Sequence, residues 1–347
     1  MFNKTPQFLL IFQSKLITAR NSSVPLYALR KSCLTQWRPF LTLSSPTLHP
    51  GVPAKIEPLF PHLHRKGDPL ARPVRRTINF ENSKLSKYDD LNAYACVIDD
   101  AFTPKECDEL LRIAEASSEE GWPIAQVNIG GNMQVMDTSY RKSDRILYDD
   151  RALADKLLTR IRPLLQDMEL IDPVDAGKGK GPLGWKGTAA QRRGDKFRLT
   201  RLNERLRYLR YPVSGFFRMH CDGAYTTPDH KESSLFTFHL YLNDKTGDVP
   251  LQGGATRFWD AGAHLKQELS PALMKKRKIE PPEFYDVAPI PGRVLVFQHA
   301  FLVHSGEPIT AGIKLTIRTD FMYEKVDEEE KKDTVAAPAQ IDPKENQ

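Results

Sequence analysis

In the segment RMHCDG a histidine and an aspartate stand either side of one cysteine, at His220 and Asp222. Side chains alternate along a strand, so these two project to one face and Cys221 to the other, where it reads as a structural residue. An imidazole nitrogen and a carboxylate oxygen presented together suit a divalent transition metal. The pair alone is a weak signal, because Asp222-Gly223 is also a good strand-ending turn. A third donor far along the chain strengthens it: VLVFQHAFLVHSGEPITAGIKLTIRTD places His304 at a strand end, ten residues before Lys314.

Two histidines and one carboxylate on one side of an iron, with the opposite positions open, form the facial triad of non-haem Fe(II) oxygenases. The open positions accept a chelating 2-oxo acid and dioxygen. The far carboxylate of such an acid, once buried, needs a cation. Lys314 is the first choice; Arg318, four residues on and on the same strand face, is the alternative. His299 competes with His304 for the distal position but stands fifteen residues from Lys314. His239 reads as a neighbour of the site, and His62, His64, His230 and His264 have no partner at ligand spacing. Cys33, Cys96, Cys107 and Cys221 show no C-x-x-C spacing, so neither a zinc ribbon nor a disulfide framework is expected.

Positioning such a triad takes strands. The runs ERLRYLRY, SGFFRMHCD, SLFTFHLYLND, GGATRFW, GRVLVFQH and KLTIRTDFMY, separated by turn residues, predict an antiparallel barrel or sandwich. Alternation within SLFTFHLYLND puts Thr237, His239 and Tyr241 on one face. Upstream, Tyr94 to Ile98 predict a strand. Thr103, Pro104 and Glu106 predict a capped helix start, with Leu110, Leu111, Ile113 and Ala114 as its apolar face. A second helix is predicted over 151–168, from Leu153, Leu157, Leu158, Ile161 and Leu165. Residues 174–197, rich in Gly and Lys, read as a flexible excursion; a phosphate cradle would need a strand–glycine–helix context that is missing.

The flanks differ in character. The chain has 347 residues and a formal net charge of +6, yet residues 1–56 hold seven basic residues and no acid. The rest carries 43 basic against 44 acidic side chains, so a nucleic-acid-binding body is not indicated. Residues 1–56 read as a mitochondrial transit peptide, with an unstructured extension of a cytoplasmic protein as the alternative. Residues 57–90, Pro-rich and charged, read as a linker, 91–323 as one domain, and 324–347 as a disordered charged tail. No stretch reaches the ~20 apolar residues of a transmembrane span.

The segments AYACVIDDAFTPKECDELLRIAEA, NERLRYLRYPVSGFFRMHCDG, SLFTFHLYLND, GGATRFW and GRVLVFQHAFLVHSGEPITAGIKLTIRTDFMY, in this order, resemble the prolyl 4-hydroxylase type of Fe(II)/2-oxoglutarate-dependent dioxygenase domain. The resemblance runs from about Tyr94 to Tyr323. It implies an α+β, mainly β fold: a double-stranded β-helix (jelly-roll) core with supporting N-terminal helices. It implies iron held by His220, Asp222 and His304, with Lys314 on the carboxylate of the co-substrate 2-oxoglutarate. Tyr211, nine residues before His220, matches a further co-substrate contact, and Thr237 and Tyr241 match inward positions of the family. Ascorbate is the implied reductant. The chain departs from the family at Arg293, which follows Gly292 where an aspartate is frequent, and in a long basic insertion at 262–286, which reads as either a lid or a surface loop.

The expected activity is hydroxylation of a C–H bond, in a peptidyl proline or another peptidyl residue, with a small-molecule substrate as the alternative. A non-catalytic 2-oxoglutarate sensor of the same fold is the rival class. A zinc or manganese hydrolase on the same donors would call for H-E-x-x-H spacing, which is absent. The loop 223–234, beside the triad, is the expected substrate contact.

Overall fold

Alternating strands in the second half of the chain assemble into two antiparallel sheets that face each other across the triad. The computed structural model describes residues 57–326, apart from 81–82, 84, 86–87, 89–92, 131–132, 173–192, 243–244, 247–248, 261–262 and 267–268. The expected presequence, most of the Gly/Lys-rich excursion and residues 327–347 lie outside the described residues.

In chain order the elements begin with β1 (Val74–Thr77), β2 (Ala95–Asp99), α1 (Pro104–Ser117), β3 (Val127–Gly130), β4 (Met133–Val135), β5 (Arg141–Lys142), β6 (Asp144–Asp149) and α2 (Arg151–Ile161). There follow β7 (Leu170–Ile171), β8 (Lys196–Leu202), β9 (Arg205–Tyr211), β10 (Phe216–His220), β11 (Glu232–Tyr241), β12 (Lys245–Thr246), β13 (Val249–Pro250), β14 (Gln252–Gly253) and β15 (Thr256–Trp259). Last come α3 (Ala263–Lys266), α4 (Pro271–Arg277), β16 (Phe284–Val287), β17 (Val294–Gln298), β18 (His304–Gly306), β19 (Ile309–Ala311) and β20 (Lys314–Val326).

The larger sheet runs β1-β2-β17-β11-β20-β8-β7, with β9 added to β20 and β6 to β9; the smaller runs β16-β15-β18-β10-β5. The fold is mainly β, a double-stranded β-helix with its helices packed on the larger sheet. Period-two alternation makes both faces of that sheet useful. On β17, Val294 and Val296 join the core beneath α1 and α2, whereas Leu295 and Phe297 point between the sheets. On β11, Phe236, Phe238 and Leu240 take the helix side, which leaves Thr237 and Tyr241 on the inner face. A strand buried on both faces is apolar almost throughout, and all five residues of β17 are buried.

The first helix begins as its sequence predicts: Thr103 and Glu106 form the capping box, with Pro104 in the first turn. Glu106 does more than cap. Its carboxylate also accepts from the Leu59 backbone N–H and pairs with Arg160 at 2.7 Å, both side chains under a tenth exposed. Burial works to raise Glu106, but Arg160 and the two backbone donors hold it below its ordinary value. Arg160→Ala therefore leaves a buried carboxylate without its cation, and we expect urea unfolding to show a loss of about 3–5 kcal/mol.

Two expectations need correction. Helix α2 stops at Ile161 and the chain continues as 3-10 turns to Met168, because Pro163 has no N–H to extend the helical ladder. The described residues of 57–90 are part of the domain. Strand β1 pairs with β2, Arg75 is buried with its guanidinium on Asp167, and Phe80, Leu85 and Tyr88 fill the core between the sheets. Their apolar residues are spaced without helical or strand periodicity, so the sequence pattern conceals them. At the other end β20 runs three residues past Tyr323, to Val326.

Candidate metal centre

Neighbouring strands of the smaller sheet bring the two histidines together. Strands β10 and β18 pair with His220 opposite His304, and their ring centroids lie 4.3 Å apart. Asp222, two residues past the end of β10, completes the group: His220 Nε2 is 3.8 Å from Asp222 Oδ1, and His304 Nε2 is 3.8 Å from Asp222 Oδ2. All three donor atoms lie within 4.8 Å of one another.

Backbone geometry fixes which nitrogens face the centre. His220 Nδ1 lies 2.7 Å from the Arg218 carbonyl and His304 Nδ1 lies 3.0 Å from the Leu302 carbonyl. Each Nδ1–H therefore donates outward, and each Nε2 lone pair is left facing Asp222, as a metal-binding imidazole requires. Burial, with His304 alongside, pushes His220 down to about 3, and burial also lowers His304. Burial works to raise Asp222, but Arg318 and the two imidazoles hold it well below the ordinary carboxylate range. Neutral imidazoles and an ionised carboxylate are the ligand forms.

The carboxylate is further braced. Thr237 donates to Asp222 Oδ2 at 2.5 Å, and Arg318 reaches Asp222 Oδ1 at 3.1 Å and Asp320 Oδ1 at 3.1 Å. Thr237, on the inner face as the sequence predicts, is fully buried, and its short side chain ends at Asp222. His299 faces Asp320 at 3.4 Å and Ser234 at 3.4 Å, which places it outside the triad. Cys221 was expected on the back face; it is exposed and reaches the cleft wall, since the chain has already left β10 at that point.

Lys314 is the deepest cation. It is 3 % exposed, its Nζ donates to the Gly254 carbonyl at 2.6 Å, and it lies 5.4 Å from the Tyr211 ring centroid and 5.5 Å from that of Tyr241. No carboxylate pairs with it among the described residues, and burial pushes its ammonium down to about 7. Tyr241 is buried beside it, its hydroxyl donating to Thr256 Oγ1 at 2.8 Å. His239 lines the same space, and its buried Nε2 has no hydrogen-bond partner.

Triad, Lys314, Tyr211 and His239 all open on one cleft of about 640 Å³. Its rim comes from the β3–β4 hairpin, from β6 and β9, and from Gly223 to Tyr225 at the start of the expected substrate loop. Among the described residues, none of the 262–286 insertion lines it; the insertion supplies α3, α4 and most of the edge strand β16. Sequence reasoning missed β3–β4 and β6 as cleft walls. Arg145 and Arg207 come together only through the pairing of β6 with β9, so no local sequence pattern marks them.

The residues fit an iron with a 2-oxo acid. Three donors of suitable type converge with lone pairs inward, and an orphaned polar atom and an unpaired ammonium stand in the same cavity.

Residues 206–321 match the family model described as the 2OG-Fe(II) oxygenase superfamily. No curated protein sequence matches the chain. Among solved structures, it is similar to the viral collagen prolyl hydroxylase of Paramecium Bursaria Chlorella virus-1, at 16 % identity and a TM-score of 0.36, covering 66 % of this chain and 96 % of that one. A Pseudomonas putida prolyl-4-hydroxylase shows 16 % identity and a TM-score of 0.35, covering 63 % and 87 %. A Trichoplax adhaerens prolyl hydroxylase, solved with a hypoxia inducible factor peptide fragment, shows 14 % identity and a TM-score of 0.39, covering 74 % and 93 %. The segment matched by the 2OG-Fe(II) oxygenase superfamily model contains the whole donor triad together with Lys314, so the family resemblance and the site coincide in residues 206–321.

Proposed function

We propose that the protein is an Fe(II)- and 2-oxoglutarate-dependent dioxygenase that hydroxylates a C–H bond in a peptidyl residue, proline first among them, with ascorbate as the reductant that maintains the iron. The observation that carries the reading is the pairing of three inward-facing donors with a buried ammonium that has no carboxylate partner among the described residues. His220, Asp222 and His304 would hold the metal. Bound Fe(II) with 2-oxoglutarate would activate dioxygen, the oxidant: one oxygen atom goes to the substrate C–H bond and the other to succinate, with loss of CO₂.

The chain's own residues do the positioning. Lys314 receives the distal carboxylate of 2-oxoglutarate, with the Tyr211 and Tyr241 rings flanking its ammonium in place of water. Arg318, already shared by Asp222 and Asp320, is left to brace the ligand carboxylate, so Lys314 rather than Arg318 is the co-substrate cation. Thr237 orients Asp222. Preference for a peptide follows the prolyl hydroxylase resemblance of the motifs, and the cleft's open rim has room for an extended chain.

Succinate release from 2-oxoglutarate tests the reading. We expect it to require Fe(II) and to rise with proline-containing peptides; metal-independent or absent release overturns it. The co-substrate cation also predicts a pH dependence. Free Lys314 titrates near 7, whereas a bound carboxylate raises it, so the complex holds more protons than the free protein above that pH. Affinity for 2-oxoglutarate should therefore fall as pH rises from about 7 toward 9, as calorimetry would show.

A further inference from the structure

The cleft keeps positive charge that the metal centre leaves unused. Its walls hold five cationic side chains against two carboxylates, Asp222 and Asp320. Loading a divalent iron and a doubly charged 2-oxoglutarate leaves that excess unchanged. Part of it lies in a row across three strands. Arg318 on β20 stands opposite Arg207 on β9. Arg145 on β6 stands opposite Leu209, on the same face as Arg207 and diagonal to it.

The members of the row differ in how they are satisfied. Arg318 has two carboxylates, and Arg207 shares Asp320 with it at 3.0 Å. Arg145 has no carboxylate among the described residues; its Nη2 donates to the neutral Oε1 of Gln134 on the β3–β4 hairpin at 3.0 Å. Burial, followed by the nearby Arg141, Arg207 and Arg318 guanidiniums, pushes Arg145 down to about 10. A half-buried cation among like charges is unfavourable until an anion joins it.

We propose that Arg145, assisted by Arg207, binds a carboxylate carried by the primary substrate, so that the enzyme selects acidic substrates. The inference rests on the oxygenase reading for which site the substrate enters, and it adds the chemistry by which that substrate is chosen. Two strand spacings separate β6 from β20, on the order of 10 Å. An acidic residue flanking the oxidised one along an extended peptide would supply that carboxylate. A small carboxylic acid presents the same group. In either case Gln134 is the neutral partner that the carboxylate displaces from Arg145.

The test is binding to the Fe(II)- and 2-oxoglutarate-loaded protein under anaerobic conditions, where no turnover occurs. The probes are proline-centred heptapeptides carrying one Glu or, in the matched partner, Gln at each other position, together with N-acetylproline and its amide. We expect the acid of at least one pair to bind about tenfold more tightly than its neutral partner, as a charge-assisted hydrogen bond implies. Preference within the peptides identifies a peptide substrate; preference confined to N-acetylproline identifies a small acid. Arg145→Gln should abolish the preference and Arg145→Lys retain part of it. Arg145→Glu should favour heptapeptides with Lys at the selected position, a reversal that a misfolded protein cannot produce.

Equal binding within every acid–neutral pair, or a preference that survives Arg145→Gln, overturns the proposal. Succinate release by the wild-type holoenzyme reads the oxygenase assignment separately. Its absence alongside intact acid discrimination removes that assignment and leaves the anion site.

Discussion

We expect His220→Ala and Asp222→Asn each to abolish iron retention and to lower succinate release by more than about a hundredfold. Changes in residues that only support metal ligands already cost 10- to 100-fold, so loss of a ligand itself must exceed that. The two variants separate two roles. Asp222 is both a donor and the counter-charge of Arg318, so its loss also disturbs a buried ion pair. Among the described residues His220 pairs with no cation, and its Nδ1 meets a backbone carbonyl. His220→Ala should therefore lose iron, measured after gel filtration, while its apoprotein melts close to the wild type. An iron-replete His220→Ala protein that still converts 2-oxoglutarate would remove this residue from the centre.

Lys314→Met has two effects of opposite sign. In the apoprotein it replaces a buried ammonium that has no carboxylate partner among the described residues with an apolar chain of similar length, and replacements of buried charge by apolar side chains can stabilise by about 1–4 kcal/mol. Toward 2-oxoglutarate the same change removes the charge that its distal carboxylate meets. A buried charge-paired hydrogen bond of that kind is worth at least about 2 kcal/mol, so the dissociation constant should rise thirtyfold or more. Denaturant unfolding and calorimetry measure the pair. A more stable protein with unchanged affinity would transfer the co-substrate to Arg318, whose own removal should instead destabilise the fold by leaving Asp222 and Asp320 short of a cation.

Where side-chain alternation carries meaning, the site was legible in the sequence. His220 and Asp222 flank one residue, Lys314 and Arg318 are four apart on one strand, and Thr237 and Tyr241 share the inner face of β11; the structure keeps each of these relations. Thr237 faces inward as expected, and its short side chain meets Asp222, a contact that alternation alone does not reveal. Segment 57–90 was illegible for a different reason. Phe80, Leu85 and Tyr88 are anchors inserted one at a time into a core made by other strands, and single insertions leave no period to detect. The cleft rim was hidden because Arg145 and Arg207 meet only through the pairing of β6 with β9, a contact between segments more than fifty residues apart.

Strand β20 carries Lys314, Arg318 and Asp320 on its inner face and is clamped by β11, β9 and β8 along its length. It acts as a ruler, setting the interval between the co-substrate anchor and the ligand brace by the pleat alone. The cleft residues on β6 and the β3–β4 hairpin, proposed to meet the substrate, belong to other elements. Chemistry and choice of target are thus separable by construction: the rim is free to diversify while the graduations of the ruler stay where they are.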